Sequence, residues 1–154
     1  MKQILPLVIL ALSIAASAQG PDVQTAFANF GLLGNWAQDC QAKPSTTDAH
    51  LSITARRTQG YFLYNFGSPV LNATWTYTSA ELIDATHLRL LGTTKNWHIV
   101  EQIIFMNNGR IQLVSEIDTV NEAVTVKDGV QFPDNPNLRN VEPTLRRCGP
   151  DGRN

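Results

Sequence analysis

The sequence predicts an all-β fold: an eight- to nine-stranded antiparallel up-and-down barrel preceded by a short N-terminal helix. Three observations carry this reading. From Gly34 to Phe132, apolar and polar residues alternate with period two in successive short runs, the spacing of a strand with one buried face. The pairs Asn108-Gly109 and Asp128-Gly129 stand between such runs, and both are strong hairpin signals. The connections are short, so consecutive runs become antiparallel neighbours. Closing them on themselves removes exposed sheet edges.

The elements follow in order. Lys2, an apolar run from Ile4 to Ala15 and the small triplet Ala16-Ser17-Ala18 form the pattern of a secretory signal peptide cleaved after Ala18. This predicts a signal segment, 1–18, and one barrel domain, 19–154. The run is shorter than the ~20 apolar residues of a membrane-spanning helix. Val23, Ala26, Phe27 and Phe30 then share one helical face between Pro21-Asp22 and Gly31, which predicts a short plug helix. From Gly34 the period becomes two. Leu51, Ile53 and Ala55 alternate with Ser52 and Thr54, and Phe62, Tyr64 and Phe66 with Leu63 and Asn65, with Gln59-Gly60 read as the turn between the two runs. Leu71, Ala73, Trp75 and Tyr77 continue the pattern, followed by His87 to Gly92, Trp97 to Met106 and Arg110 to Asp118. A last hairpin joins Ala123 to Lys127 with Val130 to Phe132. Three prolines from Pro133 to Pro143 oppose regular structure, so that stretch is expected to wrap the outside and return Cys148 towards Cys40. An immunoglobulin-type sandwich fits less well, because Trp36 precedes both cysteines instead of lying between them.

Composition sets limits. The 154 residues include 12 Lys and Arg against 13 Asp and Glu, with 16% charged and 43% hydrophobic residues. This near-neutral balance argues against a nucleic-acid partner and for an ordinary globular domain. Cys40 and Cys148 are the two cysteines. In an exported chain such a pair reads as one disulfide, whereas a metal pair or reactive thiol would need a CxxC or Cys-His pattern that the sequence lacks.

Gly34-Asn35-Trp36, a G-x-W after a short helix and at the start of the first strand, resembles the opening of lipocalin-type (calycin) barrels. The resemblance implies an Arg near the barrel's end packed over the motif Trp, and Arg146 or Arg147 would take that part as a cation over a ring. It covers the first strand, the strand count and the C-terminal closure. The chain departs from the family in its short barrel and in lacking the other inter-strand motifs, so the resemblance says nothing of pocket side chains. The chain is also similar to periplasmic inhibitors of bacterial metalloproteases on the same barrel, which begin with G-x-W and contain one disulfide, more local than Cys40 to Cys148. From Gly34 to Cys40, and at the terminal Arg147-Cys148, it looks like small exported proteins of Gram-negative bacteria.

Chemistry was sought in the strand register. If the Asn108-Gly109 turn sets Asn107 opposite Arg110 and the ladder runs unbroken, Glu101 faces Glu116, while Gln102 and Ser115 join Val100, Ile104, Ile111 and Leu113 on the core side. The simplest register that buries Leu88 and Leu90 sets His87 opposite Glu101. His87, Glu101 and Glu116 then form a row beside Arg89, which reads as a solvated charge cluster or as a weak candidate metal or acid/base site. His50 and His98 sit on separate runs without ligand spacing. Asp39 is a carboxylate beside Cys40 and nothing more specific. No nucleophile elbow, P-loop, dinucleotide fingerprint or H-E-x-x-H occurs, so no catalytic residue and no cofactor is assigned.

The aromatics Phe62, Tyr64, Phe66, Trp75 and Tyr77 either fill the core or line an apolar cavity, with Gln102 and Ser115 as its polar groups. The expected function is that of an exported, periplasmic or secreted, non-enzymatic binding protein for a small apolar or amphipathic ligand. The alternative is a periplasmic inhibitor or interaction module of an envelope hydrolase, using the segment Gln19 to Leu33. An envelope structural component is the third reading. No membrane span is expected after signal cleavage.

Overall fold

The computed structural model describes residues 22–96, 98–132 and 140–149. The expected signal segment, Trp97 and the stretch 133–139 lie outside the described residues. Helix α1 (Val23–Phe30) is bounded by its caps: Asp22 accepts the Thr25 N–H at 2.7 Å, and Gly31 leaves the helix at φ 77°, a left-handed turn that glycine adopts without strain. Its four apolar side chains, Val23, Ala26, Phe27 and Phe30, are all buried.

Ten strands follow: β1 (Gly34–Ala37), β2 (His50–Arg56), β3 (Gln59–Asn65), β4 (Ala73–Leu82), β5 (His87–Thr93), β6 (Ile99–Asn107), β7 (Arg110–Asp118), β8 (Ala123–Lys127), β9 (Val130–Gln131) and β10 (Leu145–Arg147). Strands β1 to β7 form an antiparallel meander, and β10 pairs with both β7 and β1. Eight strands therefore close a barrel, while β8 and β9 are an extra hairpin on the second half of β7. The all-β barrel with a short helix is as the sequence predicts. The closing strand is not among the predicted runs: it lies just beyond Pro143, in residues assigned to no strand. Its position has a covalent cause. Two residue pairs join β10 to each neighbour, and the Cys40–Cys148 disulfide, with Cα atoms 5.6 Å apart, holds it there across 108 residues of chain.

The turn between β2 and β3 also differs from expectation. Arg56 pairs with Gln59, so the turn residues are Arg57, at φ 43°, and Thr58. Gly60 instead lies inside β3, between Ala55 and Tyr77. A Cβ there would stand 2.4 Å from the Phe27 ring. The missing side chain is what lets the helix seat its central aromatic against the sheet.

Phe27 packs on Phe62 and Tyr77 with ring centroids 6.0 and 6.5 Å apart, and Phe62 and Tyr77 are themselves 4.6 Å apart. Gln24 exchanges backbone and side-chain hydrogen bonds with Arg57, which fixes α1 at the end of the barrel that holds the β2–β3 turn. The connections 38–49, 66–72 and 119–122 gather at the other end, because alternate strands reverse direction.

Candidate functional site

The candidate site begins with the aromatic side chains that point into the barrel. Phe62 pairs with Trp75, and Gly60 with Tyr77, and directly opposed residues share a face. Phe62, Tyr64, Trp75 and Tyr77 therefore all point inwards. Near α1, Phe62 and Tyr77 are fully buried. Further along, Tyr64, Phe66 and Trp75 are only partly buried, with Tyr64 stacked on Phe66 at 6.0 Å and tilted against Trp75 at 5.5 Å. The five aromatics thus divide into a packed group beside the helix and a lumen-facing group that solvent still reaches.

The polar side of the site comes from a break in the β6–β7 ladder. Pairing starts as the Asn108-Gly109 turn dictates, from Asn107↔Arg110 to Ile104↔Leu113, but Ile103 then pairs with Ser115 and leaves Val114 as an extra residue. Such a bulge turns every later side chain of the strand over. Ser115, expected inside with Gln102, shares the outer face with Ile103. Glu116, expected outside opposite Glu101, lies opposite buried Gln102 instead. Glu101 faces Ile117.

Once inside, Glu116 ends a chain of hydrogen bonds. The Tyr77 hydroxyl donates to Gln102 Oε1, and Gln102 Nε2 donates to Glu116 Oε2. A second bulge, at Thr125 in β8, brings the Thr125 hydroxyl to Glu116 Oε1 at 2.6 Å. Glu116, Val126 and Gln131 form one cross-strand row, and Gln131 Nε2 donates to Glu142 Oε1 at 2.7 Å. The Glu142 backbone is held from both sides: its N–H donates to Gly129 O at 2.7 Å, and its carbonyl accepts from Gln112 Nε2 at 2.9 Å.

Titration responds to this crowding. Burial, and then the nearby carboxylates of Glu142 and Glu116, hold the Tyr64 phenol well above its ordinary range. Burial likewise raises Tyr77, helped by Tyr64 and Glu116. Burial raises the Glu142 carboxyl, and Glu116 adds to the rise against the lowering effect of the Gln131 hydrogen bond. These shifts follow from withdrawing charge from water and placing like charges together.

The row of His87, Glu101 and Glu116 does not exist. Strand β5 is displaced against β6 by four residues from the expected register, so His87 faces Phe105, and Leu91 faces Glu101. The displacement keeps Leu88 and Leu90 inward, opposite Ile104 and Gln102, because an even shift preserves the face. His87 lies 2.9 Å from Asp84, and its ring is tilted against Phe105 with centroids 5.1 Å apart. Asp84 is held down at about 2 by the Thr86 backbone N–H, then by the His87 and Thr86 side chains. Arg89 reaches Glu81 at 3.1 Å and Glu101 at 3.6 Å on the outer face. Among the described residues, no group of three His, Cys, Asp or Glu side chains is placed to hold a metal ion.

The remaining candidates are dispersed. His98 Nδ1 lies 2.9 Å from Asp118 Oδ2, and Asp118 also accepts from the Val120 and Asn121 backbones. These bonds, led by His98, hold the Asp118 carboxyl below its ordinary range. His50 Nε2 is buried without a partner. Asp39 binds Arg146 at 3.1 Å. Arg147 lies opposite Trp36 in the β1–β10 pair, its guanidinium 5.0 Å from the ring centroid.

Sequence reasoning missed Glu142, Thr125 and Gln131, and set Glu116 on the outer face. The one available signal is the adjacent apolar pair Leu113-Val114, where strict alternation lapses. An unbroken ladder would have put apolar Ile117 inside, so the pattern favoured the wrong register. The chain matches no protein-family model, and no curated protein or solved structure is similar to it.

Proposed function

We propose that this is an exported, non-enzymatic binding protein with a lipocalin-like barrel that takes a small amphipathic ligand. Its apolar part lies against Tyr64, Phe66 and Trp75, and its polar part meets the hydrogen-bonded groups that end at Glu116 and Glu142. One observation carries the reading: inward-facing aromatic rings that solvent still reaches stand beside a set of placed polar groups, the composition of small-molecule sites. Export is supported by the N-terminal segment and by the disulfide, a bond that persists in oxidising compartments. No helix among the described residues is long and apolar enough to cross a membrane. The lipocalin likeness is supported by the Arg147 guanidinium over Trp36 at the point of closure. The alternative, an inhibitor acting through Gln19 to Leu33, is less favoured, because the apolar face of α1 is already inside the barrel.

The test is a screen of small amphiphiles against the mature protein. A bound ligand should change tryptophan emission through Trp75 and raise the melting temperature by linkage, by an amount that grows with ligand concentration. A Trp75→Phe variant should keep the thermal shift and lose most of the emission change. A broad screen that moves neither signal would overturn the binding reading.

A further inference from the structure

Two carboxylates on the inner side of the barrel wall, Glu116 and Glu142, are held by neutral groups among the described residues. Both Glu116 oxygens accept from neutral donors, the Thr125 hydroxyl and the Gln102 amide, and the Glu142 oxygen described above accepts from the Gln131 amide. None of the ion pairs formed by described residues includes Glu116 or Glu142. Both carboxylates are partly buried, and neutral hydrogen bonds do not cancel a carboxylate's charge.

The aromatic rings are an independent feature of the same lumen and point the same way. Tyr64 lies within the field of both carboxylates and stands 5.5 Å from Trp75 and 6.0 Å from Phe66, centroid to centroid. The faces of such rings attract cations, and an ammonium group enclosed by several of them gains from each. An anionic head group would instead add a further negative charge beside two carboxylates, with no described lumen cation to receive it.

We infer that the ligand's polar end is cationic, a protonated amine or quaternary ammonium group held between the Glu116 and Glu142 carboxylates and the rings of Tyr64 and Trp75. This rests on the binding reading above and narrows it to one ligand class. The head group sets a positive charge beside the two carboxylates, and its alkyl or aryl tail lies against the apolar rings. Binding is reversible and involves no bond-making step.

The experiment compares amphiphiles with one tail, about ten carbons long, and different heads: a trimethylammonium, a primary amine, an alcohol and a carboxylate. Each is titrated by calorimetry into the mature protein below its micelle concentration. The expected order places both cations at least about tenfold tighter than the alcohol, and the carboxylate weakest, a margin within what enclosed cation–π contacts and charge pairing supply. Glu116→Gln and Glu142→Gln should each reduce the ratio of cation to alcohol affinity. The far-UV circular dichroism and melting temperature of each variant are the control that it folds. A carboxylate that binds as tightly as the ammonium homologue, or a cation preference unchanged in both variants, overturns this inference and leaves the binding reading standing. Failure of all four heads to bind overturns both.

Discussion

Arg147 and Trp36 are cross-strand partners at the barrel's closing pair, and three interactions join the Arg147 side chain to the segment that leads into β1. Its guanidinium lies 5.0 Å from the Trp36 ring centroid and donates to the carbonyls of Gly31 and Leu33. Trp36 in turn donates from Nε1 to Leu32 O at 2.9 Å. One arginine thus ties the last strand to the first and to the exit of α1.

Loss of that tie should be measurable. Arg147→Ala is expected to cost about 1–3 kcal/mol in urea unfolding, from the cation–π contact and the charge-assisted hydrogen bonds together. Arg147→Lys should recover only part of it, because an ammonium lacks the planar guanidinium face that lies over the Trp36 ring.

The disulfide should contribute more. In the chain-entropy model, bridging a loop of about 100 residues stabilises the fold by on the order of 4–5 kcal/mol. Cys40→Ser with Cys148→Ser, or reduction of the native protein, should lower the melting temperature substantially, and Arg147→Ala should be far more damaging in that background. Peptide mapping without reduction should recover the Cys40–Cys148 cross-link. Two free thiols in exported material would contradict it.

Gly60 and Phe27 should behave as a coupled pair. A Cβ at residue 60 would lie 2.4 Å from the Phe27 ring, so Gly60→Ala should destabilise by about 1–3 kcal/mol through overpacking. Phe27→Ala should cost roughly 3–5 kcal/mol through the cavity it leaves. The double variant should be more stable than the sum of the two predicts, because removing the ring removes the collision. Strict additivity in a double-mutant cycle would count against the packing described.

Glu142 should make stability fall as pH rises. Burial and the neighbouring Glu116 raise its folded-state pKa above the unfolded value, so between those values the native state binds more protons than the unfolded chain. Its favourable contribution is complete below the unfolded pKa and is lost as pH rises through the folded one. Relative to wild type, Glu142→Gln should therefore gain stability from acidic to neutral pH, and the difference between the two curves isolates this group from Asp84 and Asp118, whose shifts have the opposite sign. Unfolding curves at several pH values would show it, and a wild-type-to-variant gap that does not change with pH would refute it.

The sequence by itself determined the elements whose cause is local. The caps of α1, the Asn108-Gly109 and Asp128-Gly129 turns and the inward sets Leu51/Ile53 and Leu88/Leu90 follow from backbone preference and period, which neighbours along the chain decide. The cysteine pairing was legible because only one pairing exists. Tertiary structure alone decided what depends on register between strands. The bulge at Val114 turns Glu116 inward and Ser115 outward, and the four-residue displacement of β5 separates His87 from Glu101. Both alternatives bury Leu88 and Leu90, so period-two patterning does not distinguish them. The choice falls to packing across the barrel and to the satisfaction of buried polar groups such as Gln102. The same holds for Glu142, which the Val130–Val141 bridge and the bonds from Gln112 and Gln131 hold beside the row that contains Glu116. Charge inside a barrel is a property of closure, and closure joins residues that are far apart in the chain.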